Sequence, residues 1–199
     1  ASKDPAEVSG YELVEELGTY NGKAVYENPY ALSLGYGTDA DVTKAIEEEN
    51  PFEYQNKLYS NILGEEVQIF VPVKWEDEKN GEQLDIEIPE NDSTGYLYGY
   101  MRSNAENLQL YVDGEYRCDY QCWLSYLVFN LGDAQKEHQA SFHGFWDEPE
   151  NAEIQFYMLD KEALDSAITI LKERQMEVHT FEDGLVEGNY TAAEEGYLL

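Results

Sequence analysis

Few residues in this chain stand at spacings that chemistry could use. The acidic run Asp39-Ala-Asp-Val-Thr-Lys-Ala-Ile-Glu has the oxygen density of a calcium loop. Its sixth position is Lys44, where the sharp turn of such a loop needs glycine, and the positions after it fall on a helical face. A solvated helix start capped by Asp39 is the expected reading. His138, His143 and His179 are scattered, with no H-x3-H pair and no cysteine at ligand spacing, so no metal site is expected. Ser141 and His143 lie two apart on one strand, which puts their side chains on one face but about 7 Å apart, too far for a nucleophile and its base. The 42 acidic residues guarantee that some carboxylates lie near one another, and for that reason no hydrolytic pair can be picked out. There is no glycine-rich dinucleotide or phosphate loop and no nucleophile elbow. The sequence therefore predicts no catalytic residue and no cofactor.

The tyrosines carry more signal. Tyr96, Tyr98 and Tyr100 alternate, so all three project from one face of a strand. Such a row could stack sugars, and these three are the candidates for a binding site. The other reading is an aromatic-rich core or a half-exposed cross-strand ladder.

Composition narrows the partners. With 42 acidic against 12 basic residues and a net charge of −30, there is no basic stripe to hold phosphates, which excludes nucleic acid and disfavours anionic membrane surfaces. The 17 tyrosines, 7 phenylalanines and 3 tryptophans supply the aromatic burial that a disordered acidic chain lacks. No apolar run approaches the ~18 residues that span a bilayer, so the piece itself is expected to be soluble. Cys118 and Cys122 would lie roughly 13 Å apart along a straight strand, so two reduced thiols are expected. Asn91-Asp-Ser93 and Asn189-Tyr-Thr191 match the glycosylation pattern at chance frequency.

The elements that would position these groups are mostly strands. Residues 1–9 read as a flexible leader and 10–199 as one β-rich domain, cut short at its C-terminal end. Asn21-Gly22, Asn80-Gly81, Asp113-Gly114 and Asp183-Gly184 are hairpin turns between alternating runs. Val67 to Val73 is a strand in which Pro72 argues for an edge or a bulge, and Leu84, Ile86 and Ile88 alternate with Asp85 and Glu87. Trp123 to Leu131, almost wholly apolar, reads as a central strand buried on both faces. His138 and His179 read as exposed. Two helices are clear: Pro51 to Leu63, with Asn50 as cap and Gly64 as stop, and the helix after Asp160, with Leu164, Ala167, Ile168 and Leu171 as its apolar stripe. A short third helix follows Asp39, with Val42, Ala45 and Ile46 on one face. The fold class is α+β, mainly β: an antiparallel β-sandwich, jelly-roll-like, with two or three packed helices.

One stretch is distinctive as a pattern. Val-Tyr-Glu-Asn-Pro-Tyr-Ala-Leu-Ser-Leu-Gly-Tyr at 25–36, followed by Asn-Pro-Phe-Glu-Tyr-Gln-Asn at 50–56, resembles the extracytoplasmic part of the bacterial YfhO-type membrane proteins. Later segments follow in the same order: Tyr111-Val-Asp-Gly, Phe156-Tyr-Met-Leu-Asp before a helix, and Phe181-Glu-Asp-Gly-Leu-Val-Glu-Gly before Thr191-Ala-Ala-Glu-Glu-Gly-Tyr-Leu-Leu. Ser33 departs from the family, which commonly has proline there. The resemblance implies a multi-pass parent similar to lipid-linked-sugar glycosyltransferases that modify cell-envelope polymers such as teichoic acids. This piece would be its non-catalytic domain on the extracytoplasmic face of the bacterial membrane, positioning a glycopolymer, a sugar or a partner beside the rest of the parent. The family's catalytic carboxylate is expected among membrane helices, so no catalytic residue carries over. The alternative is a free-standing secreted carbohydrate-binding or glycoside-hydrolase-like domain. Asn28 and Asn56 are expected to hydrogen-bond backbone groups inside the fold.

Overall fold

Alternating apolar and polar residues, punctuated by turns at Asn80-Gly81, Asp113-Gly114 and Asp183-Gly184, build an antiparallel β protein; Asn21-Gly22, also expected as a turn, lies outside the described residues. The computed structural model describes residues 12–13, 19–20, 23–24, 26–103, 107–121, 126–144, 152–192 and 196–199. In chain order its strands begin with β1 (Glu12–Leu13), β2 (Thr19–Tyr20), β3 (Lys23–Ala24), β4 (Tyr26–Glu27) and β5 (Gly37–Asp39), followed by helix α1 (Pro51–Leu63). Then come β6 (Phe70–Val73), β7 (Glu76–Asn80), β8 (Gln83–Ile88), β9 (Gly95–Arg102), β10 (Leu108–Val112), β11 (Glu115–Tyr120), β12 (Leu127–Asp133), β13 (His138–His143) and β14 (Glu153–Asp160). Helix α2 (Lys161–Glu173) leads to β15 (Glu177–Glu182), β16 (Leu185–Asn189) and β17 (Gly196–Leu198). The chain folds as two compact units, 38–167 and 1–37 with 168–199.

Unit 38–167 is a β-sandwich. One sheet has the order β11-β10-β13-β8-β7, the other β12-β9-β14-β6, and their strand pairs are antiparallel. Successive strands alternate between sheets from β8 to β10 and from β11 to β14, the crossing pattern of a jelly roll. Period-two alternation turns Leu84, Ile86, Ile88, Leu110, Val112 and Phe142 of the five-stranded sheet toward Leu97, Met101, Phe129, Phe156 and Met158 of the four-stranded one, forming a single buried cluster. Gly99 makes room within it: a Cβ there would lie 2.1 Å from Phe129 Cζ, a contact the packing cannot hold.

Several expectations are met in detail. Pro72 sits on β6, the edge of its sheet. Asn50 caps α1 by accepting from the N–H groups of Phe52 (2.9 Å) and Glu53 (3.4 Å), Pro51 occupies the first turn, and Gly64 ends the helix at φ 78°. Asp160 Oδ1 accepts from Ala163 N at 3.0 Å, and Ala167, Ile168 and Leu171 are buried along α2.

Others are corrected. The stretch expected to be central, Trp123 to Leu131, contributes β12, which is an edge strand with Val128 and Asn130 exposed; residues 123–125 lie outside the described residues. The true centre of the five-stranded sheet is β13, whose polar residues face outward or are satisfied locally. After Asp39 the chain makes only a 3-10 turn, Ala40–Thr43, because Lys44 is already extended (φ −69°, ψ 131°). His138, expected to be exposed, is buried beneath the Asp113-Gly114 turn.

In the unit of 1–37 and 168–199, β2 pairs with β3, β1 pairs with β4, and β15 pairs with β16. Tyr36 and Leu199 exchange backbone hydrogen bonds at 2.8 and 3.0 Å. Phe181, Leu185 and Val186 are exposed on the β15–β16 hairpin. Among the described residues no helix is long and apolar enough to cross a membrane.

Candidate functional site

The outward faces of the two sheets differ, and the difference decides where a ligand can lie. On the four-stranded sheet, α1 provides a roof. Phe52 inserts among the rings of Phe70 (4.8 Å), Tyr157 (4.8 Å) and Tyr98 (6.0 Å). Beside it, Asn50 Nδ2 donates to Gln155 Oε1 (2.8 Å) and to the Tyr157 hydroxyl (3.2 Å), so the residue that caps the helix also ties it to β14. Burial, with the Glu53 carboxylate next in weight, pushes the Tyr157 phenol well above its ordinary value and keeps it a neutral hydrogen-bonding group. Asn56 completes the attachment: its Oδ1 accepts from Ile69 N (2.9 Å) and Phe70 N (2.8 Å), and its Nδ2 donates to Phe70 O (2.9 Å).

Tyr96, Tyr98 and Tyr100 do share this face. Tyr98 packs on Phe52 and on the edge of Phe70, and Tyr100 is buried, with its ring 5.9 Å from Tyr126 and its hydroxyl 3.5 Å from Glu153 Oε2. Tyr96 is half-buried at the far end. Arg102, at the end of the same strand, pairs with Glu49.

On the five-stranded sheet three neighbouring strands bring together a different set of rings. Tyr116 on β11 stands edge-on to Tyr111 on β10 (5.7 Å, 71°), and the His143 imidazole on β13 lies nearly flat on Tyr111 (4.4 Å, 27°). Tyr116 is 52% exposed, and Tyr111 and His143 are half-buried. The strand register places Gln109, Ser141, Gln139, Asp85 and Gln83 on the same face. Their side chains are already linked: Gln109 Nε2 donates to Asp119 Oδ1 (3.4 Å), the Tyr111 hydroxyl to Gln109 Oε1 (3.5 Å), and Gln83 Nε2 to Asp85 (2.9 and 3.0 Å). Ser141 and His143 do lie on one face, but the imidazole is stacked on Tyr111 and Ser141 is buried.

This row was absent from the sequence-based candidates, although one signal pointed to it. The Asp113-Gly114 turn fixes Val112 opposite Glu115 and hence Tyr111 opposite Tyr116. The third member, His143, arrives from a strand that pairs through tertiary structure alone.

Two further features lie apart from the row. A groove of about 880 Å³ at the β7 edge is lined by Trp75 and Lys74 with Glu76, Glu87, Glu90 and Glu137. His138 is held from both sides, with Nδ1 2.8 Å from Asp113 Oδ2 and Nε2 2.9 Å from Asp133 O. Asp113 Oδ1 also accepts from Gln139 N at 2.9 Å. Burial works against the Asp113 charge, but the Gln139 N–H and the His138 ring outweigh it and hold the carboxyl below the usual carboxylate range. Among the described residues no group of three or more His, Cys, Asp or Glu could hold a metal, and Cys118 is a free thiol; Cys122 lies outside the described residues.

Compared with known proteins, residues 2–199 match the family described as "Bacterial membrane protein YfhO". The chain belongs to the YfhO family. No curated protein and no solved structure gave a match.

Within this YfhO domain the distinctive residues 50–56 have a mechanical role. Asn50, Phe52 and Asn56 each help seat α1 on the four-stranded sheet. Asn28 behaves differently from Asn56: its Oδ1 accepts from Tyr30 N at 3.0 Å in a local, exposed turn, rather than inside the fold. Ser33 also finds a use. Its hydroxyl donates to Met176 O (2.8 Å) and its N–H to Gln175 Oε1 (2.5 Å), two bonds that proline could not make.

Proposed function

We propose that this YfhO domain is the non-catalytic, extracytoplasmic part of a multi-pass membrane protein similar to lipid-linked-sugar glycosyltransferases, and that it positions an acceptor glycopolymer or a partner beside the membrane-embedded part. The observation that carries this reading is the asymmetry of the sandwich. One sheet is roofed by α1, while the other presents Tyr116, Tyr111 and His143 among preset amides and carboxylates. A rigid sheet with rings and polar groups on its outer face suits holding a chain more than transforming it.

The net charge of −30 constrains the acceptor. A phosphate-rich polymer is repelled unless divalent cations bridge it, so the contact with the domain falls on sugar units or needs such cations. Titrating the chain with poly(glycerol phosphate) and with neutral glycans, with and without magnesium, tests the role. Saturable binding is expected for at least one of them. Binding no stronger than that of an unrelated protein of equal negative charge would overturn it.

A further inference from the structure

We infer that Tyr116, Tyr111 and His143 form a subsite for an uncharged stretch of a pyranose chain lying across β11, β10 and β13. The inference rests on the acceptor-positioning role proposed above and names the ligand chemistry of that face.

Three properties of the face select this class. The rings run across three adjacent strands at centroid separations of 5.7 and 4.4 Å, with His143 covering one face of Tyr111 and Tyr116 turned 71° to it, so they form a contiguous but angled aromatic strip whose most exposed ring is Tyr116. The C–H face of a pyranose is apolar and packs on such rings, while its hydroxyls remain at the rim.

The rim matches those hydroxyls. Gln109, Asp119, Gln83 and Asp85 offer amide donors and carboxylate acceptors that are already oriented by bonds to one another, which limits the ordering cost of binding. Charge then excludes the anionic alternative. Strands β8, β10, β11 and β13 together carry a single lysine or arginine, Arg117, and it is paired with Glu115 at 3.7 Å. With no lysine or arginine free of a carboxylate on these strands and carboxylates at Asp85 and Asp119, a phosphate at the strip would meet net repulsion.

The test is isothermal titration of the chain with maltohexaose, cellohexaose, laminarihexaose and chitohexaose, and separately with poly(glycerol phosphate). At least one neutral hexasaccharide is expected to bind saturably. Tyr111→Ala and Tyr116→Ala should each weaken it about two- to twelve-fold, the loss of one ring contact. Tyr54→Ala, at an exposed position of α1, should leave it unchanged. Gln109→Leu, which keeps both rings and removes rim hydrogen bonds, guards against loss through misfolding and should also weaken binding. Failure of all four saccharides to bind, or binding indifferent to Tyr111→Ala, Tyr116→Ala and Gln109→Leu, overturns the subsite. Binding of poly(glycerol phosphate) that survives these substitutions, with no neutral saccharide bound, would overturn the subsite while leaving the acceptor-positioning role intact.

Discussion

Asn56 grips the backbone of Phe70 on both sides, accepting from its N–H at 2.8 Å and donating to its carbonyl at 2.9 Å. One buried amide thus takes the place of a neighbouring strand at the start of β6 and fixes α1 to the sheet edge. Asn56→Ala would strand the N–H groups of Ile69 and Phe70 and the Phe70 carbonyl in a buried setting. We expect a loss of about 2–4 kcal/mol in denaturant unfolding. Asn56→Asp, which keeps the acceptor and loses the donor, should fall in between. Wild-type stability in Asn56→Ala would contradict this account of the attachment.

Phe52 is the apolar half of the same attachment. Phe52→Ala removes a ring that is 3% exposed and packed against three others, for an expected cost of about 3–5 kcal/mol. Because Phe52 and Tyr98 touch, the double variant with Tyr98→Ala should cost less than the sum of the two single ones, measured by a thermodynamic cycle.

Acid should act at the Asp113-Gly114 turn. The folded Asp113 carboxyl lies below its unfolded value of about 3.9, so its contribution is fully present above that pH and disappears as the pH falls through the folded value. Asp113→Asn suits the positive φ of 52° but carries no charge. It should be less stable than wild type at pH 6, and the gap should close as the pH falls below the unfolded value and through the folded one. A gap that stays constant with pH would contradict the assignment.

The proposed side of the membrane is open to a direct check in the full-length parent. With Cys118 and Cys122 replaced by serine, a cysteine at Phe181, which is 74% exposed, should react in intact cells with a membrane-impermeant maleimide. Labelling only after lysis would place the domain on the cytoplasmic side.

What could be read in the sequence was what local chemistry decides. Asn50, Pro51 and Gly64 bound α1 by capping rules, the Asp113-Gly114 turn sets a register, and the alternation in β8 turns Leu84, Ile86 and Ile88 inward. What could not be read depends on neighbours that are distant in the chain. Tyr96, Tyr98 and Tyr100 were visible as a face, but that α1 roofs part of it follows from Asn56 and Asn50 reaching β6 and β14. The apolar run ending at Leu131 looked central because composition reports burial, whereas position in a sheet is set by pairing. His138 looked exposed because its partners, Asp113 and the Asp133 carbonyl, come from two other turns. Tyr111 and Tyr116 could be paired from their turn, and His143 could not.

The most direct test of the central claim is amide chemical-shift mapping of the chain with the neutral glycan that binds it. Shifts are expected to concentrate at Gln109, Tyr111, Tyr116 and His143 and to saturate together with one affinity. Shifts centred on α1 and Tyr96, or on the Trp75 groove, with the β10–β11–β13 face unmoved, would contradict it.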